Sequence, residues 1–280
     1  MRFGFIIPGG NSLQILKLAI EAEKAGWDGF FYYDDIYTDN KTEMSAAWPI
    51  MAAIAVSTKK IRFGSLLTAI GRRRPWEVAR ESVTVDRLSN GRLTLPTGLG
   101  WEGDGAYTKA GMESERKIHA ELLDEGLEIL DGLWSGKPFR YDGKHNHLKT
   151  MTFIPRPVQR PRIPIWVVGA WGRPKSMARV LKYDGLIPVI KKPDGSHEEI
   201  TPENIREMKE YVLKHRRIQG NRREEFDIIK DGMTPANQRK AGEIVKPFAE
   251  AGATWWTEVM RGVKSYKKML ERVLSGPPRF

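Results

Sequence analysis

The chain alternates between short apolar segments and longer amphipathic segments, and this alternation occurs eight times. The first pair shows the pattern, with a strand-like segment at residues 2–8 followed by apolar side chains at helical spacing over residues 13–25. Strands that alternate with helices predict a parallel sheet of the α/β class, and eight such units predict closure into a (β/α)8 TIM barrel. An open, doubly wound sheet is the alternative, although it rarely needs eight regular units.

The chain shows no sign of division into several domains. No linker rich in Pro, Ser or Gly interrupts it, so residues 1–280 are predicted to form one domain. Residues 136–161, which follow the fourth predicted helix, are rich in Gly, Pro and His and break the alternation. We expect them to form a small excursion, a hairpin or loop outside the barrel core.

Composition excludes several classes of function. The chain has no cysteine, so it forms neither a disulfide nor a thiolate zinc site. Its net charge of +11 is spread along the chain, which favours an anionic small molecule over nucleic acid as a partner. No apolar run approaches the roughly 20 residues of a membrane span, and the apolar start is too short for a signal peptide. We expect no nucleic-acid partner, no membrane contact and a cytoplasmic location.

In a barrel of this type, functional residues lie where strands end and helices begin. Asp34 and Asp35 close the second predicted strand, where two carboxylates could share a proton. A helix cap or a structural pairing with arginine is the alternative for them. Arg72 and Arg73 follow the third strand and Lys192 follows the sixth, where they could meet an anionic group. Solvated surface charge is the alternative for each of these cations.

The segment after the fifth strand is the strongest binding site that the residues alone indicate. Gly169–Arg173 combines small residues, free backbone N–H groups and an arginine immediately before a predicted helix, a combination that suits a phosphate group. Gly98–Gly103 also fits G-x-G-x-x-G, but no helix begins inside it, as a dinucleotide site requires. His145 and His147 lack a third ligand, so no metal site is predicted.

Residues 86–101 resemble a known family signature. Residues 86–92 read DRLSNGR, and the strand that follows them ends in Gly98-Leu99-Gly100-Trp101. This pattern resembles that of the bacterial-luciferase-like family of flavin-dependent oxidoreductases, whose fold is a (β/α)8 barrel. Matching segments run through essentially the whole chain: Phe3-Gly4, Ala25-Gly26-Trp27-Asp28, Ile61-Arg62-Phe63-Gly64, Arg74-Pro75, Pro155-Arg156-Pro157-Val158-Gln159 and Asp184-Gly185.

The resemblance implies FMN or coenzyme F420 as the cofactor, bound at the mouth of the barrel. In the family, a cis peptide bond often lies behind the flavin ring within the third strand, and the matching bond here is Ser65–Leu66. The family's phosphate contacts come from the end of the fourth strand and from the loop after the fifth. The matching positions in this chain are Gly98, Gly100, Trp101, Gly169, Ala170, Trp171, Gly172 and Arg173.

The chain departs from the family pattern at Asp35. Many members carry a histidine there, and in the F420-dependent branch that histidine can act as a base. An ordinary aspartate, with a pKa of about 3.9, is a poor base at pH 7 unless burial raises its pKa. The resemblance therefore favours an FMN-dependent oxidoreductase of the monooxygenase type that acts on a small molecule, with Asp35 as the candidate catalytic residue.

Two alternatives stay open. The first is F420-dependent hydride transfer, in which the acidic tail of F420 would lie along Arg72, Arg73 and Lys192. The second, of another class, is a barrel that binds flavin without turnover. The resemblance also implies a homodimer and a separate flavin reductase that supplies reduced flavin.

Overall fold

Strands and helices alternate along the chain in the computed structural model, which describes residues 1–39, 43–218 and 225–280. The strands in these ranges are β1 (Arg2–Ile7), β2 (Gly29–Tyr32), β3 (Arg62–Ser65), β4 (Thr68–Ala69), β5 (Leu95–Gly98), β6 (Pro138–Asp142), β7 (His147–Thr152), β8 (Ile165–Ala170), β9 (Gly185–Lys191), β10 (His197–Glu198), β11 (Asp227–Gly232) and β12 (Trp255–Val259). The α-helices in the same ranges are α1 (Ser12–Lys24), α2 (Ala47–Ser57), α3 (Pro75–Leu88), α4 (Gly105–Thr108), α5 (Arg116–Trp134), α6 (Pro174–Leu181), α7 (Pro202–Ile218), α8 (Gln238–Ala251) and α9 (Tyr266–Leu274).

Nine of these strands pair in parallel, in the order β3-β2-β1-β12-β11-β9-β8-β5-β4. The two end strands are consecutive in the chain, because only residues 66–67 separate β3 from β4. β3 pairs with β2, β4 pairs with β5, and a bridge between Phe63 and Leu93 joins the free side of β3 to the segment before β5. The third barrel strand is therefore split into two halves, and the predicted (β/α)8 barrel is confirmed.

The interior of the barrel is aromatic. Phe31, Trp166 and Trp255 pack together with ring centroids 5.1 to 6.1 Å apart, and none of them is more than 1% exposed. Gly29 leaves the space for these rings, since a Cβ there would lie 2.8 Å from atoms of both Phe31 and Trp255. This packing fills the barrel with side chains, so a ligand can enter only at its mouth.

The helices cover the outside of the sheet with their apolar faces. On α5, the buried residues Leu123, Leu127, Leu130 and Trp134 recur every three or four positions, which places them on one side of the helix. Burial of a side chain such as leucine contributes about 1.5–3 kcal/mol, so this face holds α5 against the barrel.

The excursion at residues 136–161 contains the antiparallel pair β6–β7. Its turn is held against α5 by Glu125, whose carboxylate accepts the backbone N–H groups of Lys144 at 2.6 Å, His145 at 3.1 Å and Asn146 at 2.9 Å. These hydrogen bonds satisfy backbone groups that the short hairpin cannot pair internally. The hairpin therefore belongs to the outer surface of the barrel.

Candidate active site at the barrel mouth

The chain after β2 brings two adjacent carboxylates to the carboxyl ends of the strands. Tyr33 packs against the aromatic interior. Burial, together with the charges of Asp231 and Asp35, raises the pKa of Tyr33 to about 12. The carboxylates of Asp35 and Asp231 therefore lie close to this ring. Asp34 has a different environment, because its side chain is only 6% exposed and pairs with Arg72. The two predicted acids therefore have different surroundings and different roles.

Arg72 is the centre of a buried network of ion pairs. Its side chain, 4% exposed, pairs with Asp34 at 3.1 Å and with Asp104, and it also donates to the Asp34 backbone carbonyl. Asp104 in turn accepts the backbone N–H groups of Ile36 at 3.0 Å and Tyr37 at 3.2 Å. We call Arg72, Asp34 and Asp104 the Arg72 clamp. The clamp ties together the loops that follow β2, β4 and β5.

The surroundings of Arg72 correct its predicted role. A guanidinium enclosed by two carboxylates is not available to lie along the acidic tail of F420. Arg73 is engaged elsewhere, since its Nη2 donates to Glu81 at 2.6 Å and its guanidinium lies 5.7 Å from the Trp48 ring. Lys192 is exposed in the turn between β9 and β10. The three cations predicted to act together therefore occupy three different environments.

Asp35 has the electrostatic environment of a general base. Burial raises the pKa of its carboxyl to about 6; the negative charges of Asp104 and Asp34 act in the same direction, and Arg72 acts against them. A carboxyl with this pKa is mostly ionised at pH 7 and still accepts a proton, as a general base requires. Burial thus removes the main objection to aspartate at this position.

The cis peptide bond of the third strand lies between Leu66 and Leu67, one residue later than the predicted Ser65–Leu66 bond. Ser65 still belongs to β3, where it pairs with Tyr32, and the Leu66 N–H also donates to the Tyr32 carbonyl at 2.8 Å. Because the ladder continues this far, the chain leaves it only after Leu66. Ser65 is buried within the strand, with 1% of its surface exposed, and Leu66 packs against the aromatic interior. Leu66 and Leu67, rather than Ser65 and Leu66, flank the cis bond.

The end of β5 combines two glycines with an exposed tryptophan. A Cβ at Gly98 would lie 3.1 Å from Val168, so glycine allows β5 to lie close to β8. Gly100 has a φ of +88°, a conformation that favours glycine. Trp101 is 55% exposed at the rim of the mouth. Gly98 is buried and the Gly100 carbonyl accepts a hydrogen bond from Arg116 at 3.0 Å, so the ring of Trp101 is the accessible group beside the mouth.

The segment after β8 is less free than the sequence suggests. The N–H groups of Ala170 and Trp171 already donate to Ser176 Oγ and to the Val189 carbonyl, both at 2.9 Å. The Arg173 N–H likewise donates to the Ala170 carbonyl at 3.1 Å. The prediction of free backbone donors across this segment is therefore wrong for these three residues.

Arg173 and the start of α6 remain as the phosphate-binding candidates of this segment. Gly169 serves packing, since a Cβ there would overlap Leu186 and Val180. Gly172 turns the chain with a φ of +76°, and Arg173 follows it with an exposed side chain. No side chain of the described residues caps α6, and Pro174 at its start has no N–H, so the N–H groups of Lys175 and Ser176 stay available together with the arginine.

Several residues at the mouth escaped the sequence analysis. Asp231 pairs with Arg261 beside Tyr33, and Glu102 pairs with Arg116 at 3.1 Å. Each contact joins two charged residues that are separated in the chain, and the chain contains many other charged residues. The sequence therefore does not show which of them pair. Asp104 did carry one signal, because an aspartate directly before a short helix is a typical N-cap.

Two absences apply to the part of the chain that the structure describes. In residues 1–39, 43–218 and 225–280, no group of three or more His, Cys, Asp or Glu side chains is placed to hold a metal ion. None of the helices in these ranges combines the length and the apolar character that crossing a bilayer demands. His145 contacts Glu121 at 2.7 Å and His147 contacts Asp142 at 2.7 Å.

Comparison with known proteins supplies independent information. A family model described as luciferase-like monooxygenase matches residues 1–228. An uncharacterized protein of Mycobacterium tuberculosis is 29% identical over 148 residues, which are 52% of this chain and 51% of that protein. The chain thus spans about half the length of the curated relatives it matches.

Two solved structures extend the comparison to the fold. The coenzyme F420-dependent tetrahydromethanopterin reductase from Methanopyrus kandleri has a TM-score of 0.76 at 15% identity, with 99% of this chain and 98% of that chain covered. The oxygenating constituent of 3,6-diketocamphane monooxygenase from Pseudomonas putida, in complex with FMN, has a TM-score of 0.63 at 17% identity, with 89% of this chain and 72% of that chain covered. At these identities the likeness shows the barrel fold alone.

Proposed function

Because this chain belongs to the family of luciferase-like monooxygenases, we propose that it is an oxidoreductase that binds reduced FMN at the barrel mouth. Electrons from the flavin would pass to oxygen or to an organic acceptor beside a small-molecule substrate. The observation that carries the proposal of an enzyme is Asp35, a carboxyl with a pKa raised to about 6 at the mouth, whereas the choice of FMN follows from the match to the luciferase-like monooxygenases. Strongly shifted groups of this kind concentrate at functional sites.

The residues at the mouth fit a flat ring that carries a phosphate. Leu66 and Tyr33 pack against the aromatic interior of the barrel, and they provide an apolar surface at the bottom of the mouth. Arg173 and the uncapped start of α6 provide donors for the phosphate. The exposed ring of Trp101 stands at the rim, where it would shield a bound ring from water. Reduced FMN supplies the electrons for the reaction when it is bound.

Asp35 would hold the proton that accompanies electron transfer. Its ionised form accepts a proton from a substrate, and burial makes this carboxylate a stronger base than an exposed aspartate. The Arg72 clamp positions the adjoining chain, since Asp104 holds the N–H groups of Ile36 and Tyr37. Arg72 also limits the rise in the pKa of Asp35, so that the carboxyl stays mostly ionised at pH 7.

Replacing Arg173 with alanine is expected to weaken FMN binding about tenfold or more. The change removes a charge-assisted hydrogen bond worth about 1.5–3 kcal/mol. Riboflavin, which lacks the phosphate, should bind the parent and Arg173→Ala with equal affinity. Titrations followed by flavin fluorescence measure the affinities of FMN and of riboflavin. Arg140→Ala on β6 is the matched control, because Arg140 is also an exposed arginine. An unchanged FMN dissociation constant in Arg173→Ala would exclude this phosphate site.

F420-dependent hydride transfer is the second candidate function. It is favoured by the competent base at Asp35 and by the F420-dependent reductase with the same fold along the whole chain. With Arg72 and Arg73 engaged in ion pairs, the exposed Lys192 is the member of the predicted set that would contact the acidic tail. Turnover with reduced FMN, with reduced F420 or with neither separates these candidates from a barrel that binds flavin without turnover.

Lys192→Ala is expected to weaken F420 binding at most about fivefold in low salt and to leave FMN binding unchanged. Exposed ion pairs contribute only about 0.2–1 kcal/mol, and salt screens them. Fluorescence titrations of both cofactors at low and high ionic strength provide the measurement. An equal loss of affinity for FMN and F420 would contradict a contact between Lys192 and the tail.

The assembly is proposed on the same basis. A homodimer and a separate flavin reductase that delivers reduced FMN fit a luciferase-like oxidoreductase. Light scattering gives the mass of the assembly in solution. A coupled assay with and without a reductase tests whether reduced flavin must be supplied from outside.

A further inference from the structure

A cavity of about 340 Å³ opens between the loop after β2, the start of α2 and the first turns of α3. We call it the α2 cavity. Its volume lies near the lower end of the roughly 300–1,000 Å³ that small-molecule sites occupy. The side chains that determine its chemistry are Asp35, Ile36, Met44, Trp48, Arg73 and Glu81. Asp35, the candidate base, therefore also lines this cavity.

Two of the residues that line the α2 cavity, Trp48 and Arg73, each contain a buried hydrogen-bond donor without a partner in the described part of the chain. Trp48 is only 5% exposed, and its indole Nε1 is buried with no acceptor among the described residues. The Nε of Arg73 is buried and unpartnered in the same way, although its Nη2 donates to Glu81. Buried donors in native proteins almost always have partners, so a bound polar molecule is the natural acceptor for these two.

The start of α2 adds backbone donors to the lining of the cavity. Ala46, at the N-cap, provides no side-chain cap, so the N–H groups of Ala47 and Trp48 have no partner within the helix. Both residues line the cavity. The helix dipole makes this end partly positive, which strengthens the attraction for an acceptor oxygen.

The charges around the cavity disfavour an anion as its occupant. Arg73 and Glu81 form a neutral pair at 2.6 Å, and the Arg72 clamp carries two carboxylates against one guanidinium. Asp35 adds a further negative charge when it is ionised. The charged groups that line the cavity or support its wall therefore sum to a negative charge, which repels a second anion.

The remaining surface completes the description of the ligand. Ile36, Met44 and Pro49 offer apolar contact, while the carboxylates of Asp35 and Glu81 are hydrogen-bond acceptors. A complementary ligand is small and neutral, has an apolar body, and carries both an acceptor oxygen and a donor N–H. An amide group has both of these atoms side by side.

We propose that the α2 cavity binds a small neutral amide, such as a lactam, as the substrate beside Asp35. The amide oxygen would accept from the Trp48 indole and from Arg73, the N–H would donate to a carboxylate, and the apolar body would contact Ile36 and Met44. The assignment of the amide as a substrate rests on the proposed function, whereas its binding does not require the cofactor.

The test compares three probes with six-membered rings on cofactor-free protein: δ-valerolactam, cyclohexanone and cyclohexanecarboxylate. Binding is measured by isothermal titration and by ligand-observed NMR. The lactam should bind about twofold to tenfold more tightly than the ketone, because one additional hydrogen bond contributes about 0.5–1.5 kcal/mol. The carboxylate should bind most weakly of the three. A carboxylate that binds most tightly would overturn the proposal.

Two variants connect the binding to the cavity. Trp48→Phe keeps the aromatic ring and removes the donor, so lactam affinity should fall about twofold to tenfold. Trp76→Phe on α3 is the matched control, since Trp76 does not line the cavity. Ala46→Leu adds side-chain volume at an exposed position of the lining and should block the lactam, whereas Ala110→Leu, at another exposed alanine, should not. Unchanged lactam binding in Ala46→Leu would refute the cavity assignment.

FMN titration of the same preparations separates this proposal from the proposed function. Lactam binding that persists without FMN binding supports the α2 cavity and overturns the flavin-dependent function. FMN binding without any lactam binding leaves the proposed function supported and overturns the α2 cavity as an amide site.

Discussion

Replacing Arg72 with methionine is expected to lower the free energy of unfolding by about 3–5 kcal/mol. The variant would leave the buried carboxylates of Asp34 and Asp104 without a counter-charge, and removal of one partner from a buried ion pair has a cost of this size. Methionine fills similar space, so the lost charge is the main change. Urea unfolding followed by tryptophan fluorescence gives the difference between the two proteins.

Two comparisons separate charge from packing in this experiment. Arg73→Met should cost about 1 kcal/mol or less, because Arg73 is more exposed and pairs with the half-exposed Glu81. The combination Arg72→Met, Asp34→Asn and Asp104→Asn should recover much of the loss, since neither buried carboxylate remains. If Arg72→Met and Arg73→Met destabilise the protein equally, the buried network does not have the assigned role.

Replacing Asp35 with asparagine is expected to reduce turnover about 100-fold to 10,000-fold, the usual contribution of a general acid or base. Asparagine has nearly the shape of aspartate and cannot accept the proton. Binding of FMN and of F420 should change little, because Arg173 and the start of α6 are the proposed phosphate contacts. Steady-state rates with both reduced cofactors, beside fluorescence titrations, distinguish lost chemistry from lost binding. A variant with undiminished turnover would exclude Asp35 as the base.

The same substitution should increase stability at neutral pH. The folded-state pKa of Asp35 is raised from about 3.8 to about 6, so the folded protein holds this proton more tightly than the unfolded chain does. Asp35 therefore destabilises the protein progressively as the pH rises from about 4 to about 6. A shift of about two units corresponds to at most about 3 kcal/mol at pH 7.

The expected pH profile is specific to this carboxyl. Asp35→Asn and the parent should have equal stability below about pH 4 and should diverge above it, with the variant more stable. Other buried acids, such as Asp227, are present in both proteins, so their contributions cancel in the comparison. Urea unfolding at several values of pH between 3 and 8 provides the data. A parent that is the more stable protein at pH 7 would contradict the raised pKa.

The architecture was accessible from the sequence because it rests on local patterns. Each strand and each helix carries its own apolar periodicity, and eight repeats of the pair leave few alternatives to a closed barrel. The division of the third strand was not accessible. Nothing in the sequence distinguishes Ser65, which still pairs with Tyr32, from Leu66, which is the last residue to bond to that neighbour.

The sequence predicted where the candidate site residues lie in the fold, but not their environments. The rule that barrel function follows the strand ends selected the segments that carry Asp35, Arg72 and Arg173, and the structure places all three residues after strand ends. It could not distinguish a buried arginine from an exposed one, because the partners of Arg72 lie 38 and 32 residues away in the chain. The raised pKa of Asp35 comes first from burial and then from the charge of Asp104, which is distant in the chain, so it too appears only in three dimensions.

The Arg72 clamp also restricts how barrels of this kind can exchange parts. Its three members come from the loops after β2, β4 and β5, and each of its ion pairs joins two different loops. A chimera that receives one of these loops from a protein without the network would acquire an uncompensated buried charge, whatever the quality of the graft elsewhere. The three loops are therefore expected to be exchangeable only as a set, because the effects of substitutions at the three members depend on one another.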